Sequence, residues 1–238
     1  MTDTELLYAT DAYLRAFDAH VEEVTPDGEV ILDRTALYPT GGGQPHDLGT
    51  LTWSSGSARV VEVHKDGGRV VHRIDAAPPP VDSGVHGEID WDRRFALMRY
   101  HTALHSMSGV IFQLHGATVT GGQMYPDRAR MDFLLPDLSP DRLRGIEERT
   151  NVLLAEAHPV KVQFYSRQEA LHIPDLIRTR VNLIPEHVQE IRVVNIEGVD
   201  QQADGGTHVA NTREVGEVRI TGSENKGKGN KRIEIVLK

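Results

Sequence analysis

Apolar positions follow two different rhythms along this chain. Up to about residue 75 they fall in short β-rich stretches, Glu29 to Asp33, Ala58 to Val63 and Arg69 to Arg73, separated at close spacing by turn signals such as Pro26-Asp27-Gly28 and Asp66-Gly67-Gly68. That rhythm predicts a small β-barrel-like domain. The run from Ala76 to Gly84 holds three prolines, which remove backbone donors and fix φ, so it continues neither a helix nor a central strand. A domain junction is expected near it, with Val85 to Ile89 as the last strand of the first domain.

From Asp92 the period lengthens. Phe95, Met98, Thr102, His105 and Gly109 lie three or four apart, which predicts one helix from about Asp92 to His115. Beyond it the pattern predicts strands around 118–120 and 131–135, then a helix from Ser139 or Asp141 that ends before Pro159. Further strands are expected at 160–165 and 191–196, with a terminal pair around 218–220 and 232–237. The expected fold class is α+β: a small N-terminal β-barrel-like domain over residues 1–90, then a second domain over 91–238 with helices packed on a mainly antiparallel sheet.

Composition narrows the class. With 39% hydrophobic and 26% charged residues in 238, the chain is an ordinary globular one, neither disordered nor fibrous. No apolar run approaches the roughly 20 residues that cross a bilayer, and the first residues lack the layout of a signal peptide, so a cytoplasmic location without membrane contact is expected. There is no cysteine, so any metal site must draw on His, Asp, Glu or water. A net charge of −9 argues against nucleic-acid binding through the whole surface and leaves local basic patches to carry it.

Four segments could carry chemistry. His101 and His105 stand at i and i+4 of the predicted helix, where both imidazoles can reach one metal ion, though core or surface histidines show the same spacing. The intervening Glu of a metalloprotease helix is missing. About a hundred residues later, Asp204 and His208 bracket a Gly-Gly turn; they could complete a four-ligand shell, or Asp204 could cap a tight loop through an Asx turn while His208 packs. Thr40-Gly-Gly-Gly-Gln44 lets backbone come close to a ligand, or simply connects two strands, and it lacks the ending of a phosphate loop. Lys226, Lys228, Lys231 and Arg232 put four cations into seven residues, either an RNA contact or a solvated hairpin loop.

In combination and in this order, these motifs resemble the alanyl-tRNA editing proteins related to the editing domain of alanyl-tRNA synthetase. The likeness rests on Leu37 to Asp47, on Arg99 to His105, and on Gly205 to Val209 with Asn211 to Gly216, followed by the basic stretch Lys226 to Ile233. It covers nearly the whole chain. The resemblance implies a Zn2+ site with His101, His105 and His208 as ligands; the remaining family ligand is a cysteine, and Asp204 stands in its place.

The resemblance further implies ester hydrolysis on tRNA(Ala) carrying a wrong amino acid, serine first and glycine second. It acts in trans, because nothing here resembles an ATP-using aminoacylation domain. Thr40 is the first candidate to read the extra hydroxyl of serine and Gln44 the second, while Lys226, Lys228, Lys231 and Arg232, with Arg93, Arg94 and Arg99 behind them, are candidates for phosphate contacts. No side chain stands out as a general base. Two other readings are a metal-dependent esterase or amidase of small molecules, and a tRNA-binding module that Asp204 has left without turnover.

Overall fold

The structure is a computed structural model and describes residues 3–173, 176, 188–227 and 229–238. Its contacts divide the chain into two compact units, Met1–Ala96 and Leu97–Lys238.

In the first unit six strands close a barrel: β1 (Ala16–Val24), β2 (Val30–Leu32), β3 (Gly49–Trp53), β4 (Gly56–Asp66), β5 (Arg69–Ile74) and β6 (Gly84–Ile89), paired in the order β1-β2-β5-β4-β3-β6. Closure leaves no unpaired edge. Strand β1 shows the reason for its geometry. Phe17, Ala19 and Val21 are buried in the core with Leu32, Leu51, Val60, Val63 and Val85, while Asp18, His20 and Glu22 alternate outward. Apart from the small Ala19, each such side chain removed from water contributes about 1.5–3 kcal/mol when fully buried. Across the β1–β6 seam Phe17 faces Gly87, and a Cβ there would lie 2.4 Å from the ring, so the strand stays flat under the phenyl group only with glycine.

The expected stretches at 29–33, 58–63, 69–73 and 85–89 correspond to β2, β4, β5 and β6. Strands β1 and β3 were not anticipated, the first because its charged alternate residues mask a half-buried strand. The proline run connects β5 to β6 inside this unit, and the two units divide within the following helix.

One imidazole is enclosed completely by this barrel. His72 on β5 is held between Val30 O, 3.1 Å from Nδ1, and Thr35 Oγ1, 3.0 Å from Nε2. The carbonyl can only accept, so Nδ1 carries the proton and the neutral ring accepts from the threonine hydroxyl. Burial pushes the pKa of His72 down to about 4 from the ordinary 6.5, against a weaker opposing pull from the Val30 carbonyl. Because the folded value is depressed and the group is a base, the stability it contributes is complete above pH 6.5 and is lost as pH falls toward 4. The loss amounts to about 3 kcal/mol at pH 4. Both tryptophans, Trp53 and Trp91, lie in this unit, so their fluorescence in urea reports its unfolding. Between pH 7 and pH 4 the native chain should lose about 3 kcal/mol more than His72→Gln; equal losses would remove His72 from the acid response.

The second unit begins within helix α1 (Trp91–His115). Strands β7 (Val119–Met124) and β8 (Ala129–Leu134) follow, then helix α2 (Pro140–Ala155). Strands β9 (Val160–Ser166), β10 (Glu190–Ile196) and β11 (Asp200–Ala203) form one antiparallel sheet; β12 (Val218–Gly227) and β13 (Asn230–Leu237) join β8 and β7 in another, ordered β12-β13-β8-β7. The fold is thus α+β, with the barrel at the N-terminus.

Helix α2 starts where Ser139 accepts from Arg142 N–H at 3.3 Å, with proline just inside. Asn151 on α2 binds both the N–H and the C=O of Val218, each at 2.8 Å, which fixes the helix against β12. At Gly109 an added Cβ would sit 3.2 Å from Val199 O, so the small residue lets α1 press against the chain just before β11. That contact brings together the two segments that carry the candidate ligands. Among the described residues no helix is long and apolar enough to cross a membrane.

Candidate metal centre

His101 and His105 lie one turn apart on the buried face of α1, their ring centroids 5.0 Å from each other. Asp204 and His208 come from the loop after β11. The ring of His208 lies 4.2 Å from that of His101 and 4.8 Å from that of His105, so the three imidazoles converge.

Asp204 faces all three. Its Oδ1 is 3.4 Å from His101 Nε2 and 4.0 Å from His105 Nε2, and its Oδ2 is 3.1 Å from His208 Nε2. One donor atom from each of the four residues lies within 4.8 Å of every other. A tetrahedral shell with bonds near 2.1 Å places its ligand atoms about 3.4 Å apart, so small side-chain adjustments suffice. Asp204 Oδ2 also accepts from Gly206 N–H at 2.7 Å. The Asx turn and the inward-facing carboxylate therefore coexist: the turn holds the acid in place.

Protonation states suit a cation. Burial presses His101 and His208 below the ordinary imidazole value, His208 strongly so, with the neighbouring histidines adding to the effect. Burial alone would push the Asp204 carboxyl up; the facing His101 and His208 outweigh it and hold the group well below the usual carboxylate range. Neutral imidazoles and an ionised carboxylate are the forms that bind metal. The donor set of three nitrogens and one oxygen fits Zn2+ without any thiolate.

Supporting groups went unnoticed in the sequence. Thr102, between the two helix histidines, has its Oγ1 3.2 Å from His208 Nδ1 and accepts from Val209 N–H at 3.2 Å, tying the loop to the helix. Asp200, buried on β11, places Oδ2 3.6 Å from His105 Nδ1 and accepts from Gln202 Nε2 at 2.6 Å. Arg192 donates to Asp204 O at 2.8 Å and stands 3.9 Å from its Oδ2. Thr102 lay between the two helix histidines and Asp200 four residues before Asp204; their polar character within buried segments was the available signal.

The glycine-rich segment belongs to the first unit. Gly41 and Gln44 exchange both backbone hydrogen bonds, at 3.0 and 2.9 Å, around Gly42 and Gly43 with φ of 58° and 84°. A two-residue turn with both central positions left-handed calls for glycine. Thr40 is exposed beside it and Gln44 is fully buried. Two consecutive arginines anchor the segment. Arg93 donates to His46 O at 3.1 Å, and the buried Arg94 binds the buried Asp47 carboxylate. Arg94 therefore cannot reach a phosphate, contrary to expectation, because its guanidinium is consumed inside the barrel unit. Arg99 is likewise engaged, donating twice to Val215 O.

The basic stretch forms the β12–β13 hairpin. Lys226 is 3.3 Å from Glu224, Lys231 is buried and donates to Asn225 Oδ1 at 2.9 Å, and Arg232 grips Asp132 with two bonds of 2.8 and 2.9 Å. Lys228 lies outside the described residues. Charge is divided unevenly. Residues 1–96 hold 17 acidic against 8 basic residues and residues 97–238 hold 18 of each, so the whole excess of −9 sits on the barrel unit.

Comparison with known proteins finds a family match in each unit. The family described as threonyl and alanyl tRNA synthetase second additional domain matches residues 191–234, a segment that contains Asp204, His208 and most of the hairpin. The family of class II (A) tRNA synthetases matches residues 8–93. An alanyl-tRNA editing protein AlaX-M of Methanosarcina acetivorans is 42% identical over 98% of this chain and 99% of its own. A protein of the same name from Saccharolobus solfataricus is 39% identical over 99% of both. The alanine–tRNA ligase of Pyrobaculum arsenaticum is 38% identical over 91% of this chain and 25% of the ligase.

Proposed function

This chain belongs to the alanyl-tRNA editing protein family, and on that premise we propose that it hydrolyses the ester linking a wrong amino acid to the 3′-terminal ribose of tRNA(Ala). Serine is the principal wrong amino acid and glycine the second; the reaction occurs in trans and depends on Zn2+ held by His101, His105, Asp204 and His208. One observation carries the reading. Four donors from two segments about a hundred residues apart meet at one buried point in a unit that contains a match to the threonyl and alanyl tRNA synthetase second additional domain.

A bound zinc ion would supply Lewis acidity toward the ester and water at neutral pH. The residues of the chain do the rest. Asp204 contributes a negative charge that Arg192 and its own Asx turn keep in place. Thr102 orients the ring of His208, and the Asp200 carboxylate lies 3.6 Å from His105 Nδ1. Thr40 is the first candidate to read the hydroxyl of serine and Gln44 the second. RNA phosphates fall to the second unit, where cations balance anions, with Lys226 on β12 and, from the sequence alone, Lys228 as the first candidates; Lys231 and Arg232 are already engaged by Asn225 and Asp132.

The test of substrate class is deacylation of serine-charged against alanine-charged tRNA(Ala) over a salt series. Release of serine that weakens steeply with salt, with alanine spared, supports the reading. Hydrolysis of small esters without salt dependence would replace it by the small-molecule esterase.

Asp204→Cys restores the family's ligand at this position and exchanges a hard donor for a soft one that zinc favours. Zinc affinity measured by chelator competition should rise about tenfold or more, corresponding to ~1.4 kcal/mol. Unchanged affinity would mean that Asp204 is not a ligand.

A further inference from the structure

Within the second unit, strand β9 lies at the edge of the sheet ordered β9-β10-β11, and its side chains alternate between two faces. Tyr165 belongs to one face, where it packs with Ala170, Leu176, Ile191 and Val193. Phe164 belongs to the other. It stands directly opposite Arg192 on β10, so the two side chains share a face. Arg192 O in turn accepts from Asp204 N–H at 3.2 Å, and the Arg192 guanidinium donates to Asp204 O at 2.8 Å. Phe164, Arg192 and Asp204 thus form a row across three adjacent chain segments that ends at the metal centre. The row runs outward to solvent. The Arg192 and Asp204 side chains are 9% and 15% exposed, whereas Phe164 is 42% exposed. With about 4.8 Å between neighbouring strands, Phe164 stands roughly 10 Å from Asp204, a span that one nucleoside fills.

We propose that Phe164 is a binding residue for the end of the RNA: with the ester at the metal centre, the base of the 3′-terminal nucleotide stacks on the Phe164 ring. The inference rests on the reading that this centre hydrolyses an aminoacyl ester of tRNA. An exposed aromatic face takes up a base through its π-face, without reading its hydrogen-bonding edge. One phenyl ring offers area for one flat base and far less than a protein interface needs. Its place in the row gives the contact a use in the reaction. A base held two strand spacings from Asp204 leaves the ribose between ring and centre, so the ester carbonyl is returned to one position in each binding event.

The experiment measures serine release from tRNA(Ala) charged on a complete 3′-terminal nucleotide and on one whose base has been removed, by the intact protein, Phe164→Ala and Phe164→Tyr. For the intact protein, removing the base should raise KM about tenfold, the value of one stacked base, with kcat little changed. Phe164→Ala should show the same rise on the complete substrate and no further rise on the abasic one, while Phe164→Tyr keeps the native values. A native KM in Phe164→Ala on the complete substrate would overturn the proposal. So would a loss in Phe164→Ala that base removal deepens by a further tenfold, because independent effects add whereas the two halves of one contact do not. Equal losses in Phe164→Ala and Phe164→Tyr would also overturn it, since a stacking platform needs only the ring. No release of serine by the intact protein from the complete substrate would overturn the underlying reading, and the inference with it.

Discussion

Replacing His208 with alanine should remove bound zinc and abolish serine release together. The ring lies within reach of Asp204, His101 and His105 at once, so its loss takes away one of four donors and opens the site where the loop meets the helix. Thr102 Oγ1 loses a partner in the same change. His101→Ala should act in the same way from the helix side. The expected fall in single-turnover rate is at least about a thousandfold, equivalent to roughly 4 kcal/mol of transition-state stabilisation. Metal content by elemental analysis is measured alongside. A variant that keeps its metal and its rate would exclude the residue from the centre.

Asp47→Ala should destabilise the barrel unit by about 3–5 kcal/mol, because it strands a guanidinium that has no access to water. The Arg94 and Asp47 side chains are fully buried. The guanidinium donates from Nε and Nη2 to the Asp47 carboxylate and from Nη1 to Ala12 O at 2.9 Å, and the same carboxylate accepts from Tyr38 N–H at 2.6 Å. Removing one charge leaves the other unpaired, whereas replacing both by apolar groups removes the imbalance. The double variant Asp47→Ala, Arg94→Met should therefore be less damaged than Asp47→Ala alone. Urea unfolding followed by tryptophan fluorescence measures both. A single variant as stable as the native chain would show that the pair does not hold the glycine-rich segment.

These two pairs of residues also mark how far the sequence could be read. The i, i+4 histidines and the Asp204 to His208 loop were candidates by residue type and spacing and became a ligand set only through the family resemblance; the structure brings all four donors together. Arg94 misled, because a sequence shows that a residue is charged but not that its charge is consumed inside a fold. Lys231 and Arg232 show the same limit: a dense basic stretch looked uniformly available, yet register across the β8–β13 pair sets Arg232 opposite Asp132. Strand β1 was hidden by Asp18, His20 and Glu22, whose outward placement is decided by barrel closure rather than by local preference. Asp200 was invisible as a support for His105 because their meeting depends on Gly109 admitting the chain before β11.

The most direct measurement of the central claim is single-turnover deacylation of serine-charged tRNA(Ala) by protein stripped of metal and then restored with zinc. The site described here predicts loss of hydrolysis on stripping, recovery when zinc is returned in one equivalent, and alanine-charged tRNA left intact throughout. Full activity of the metal-free protein, or tight tRNA binding with no serine released after zinc is restored, would contradict it.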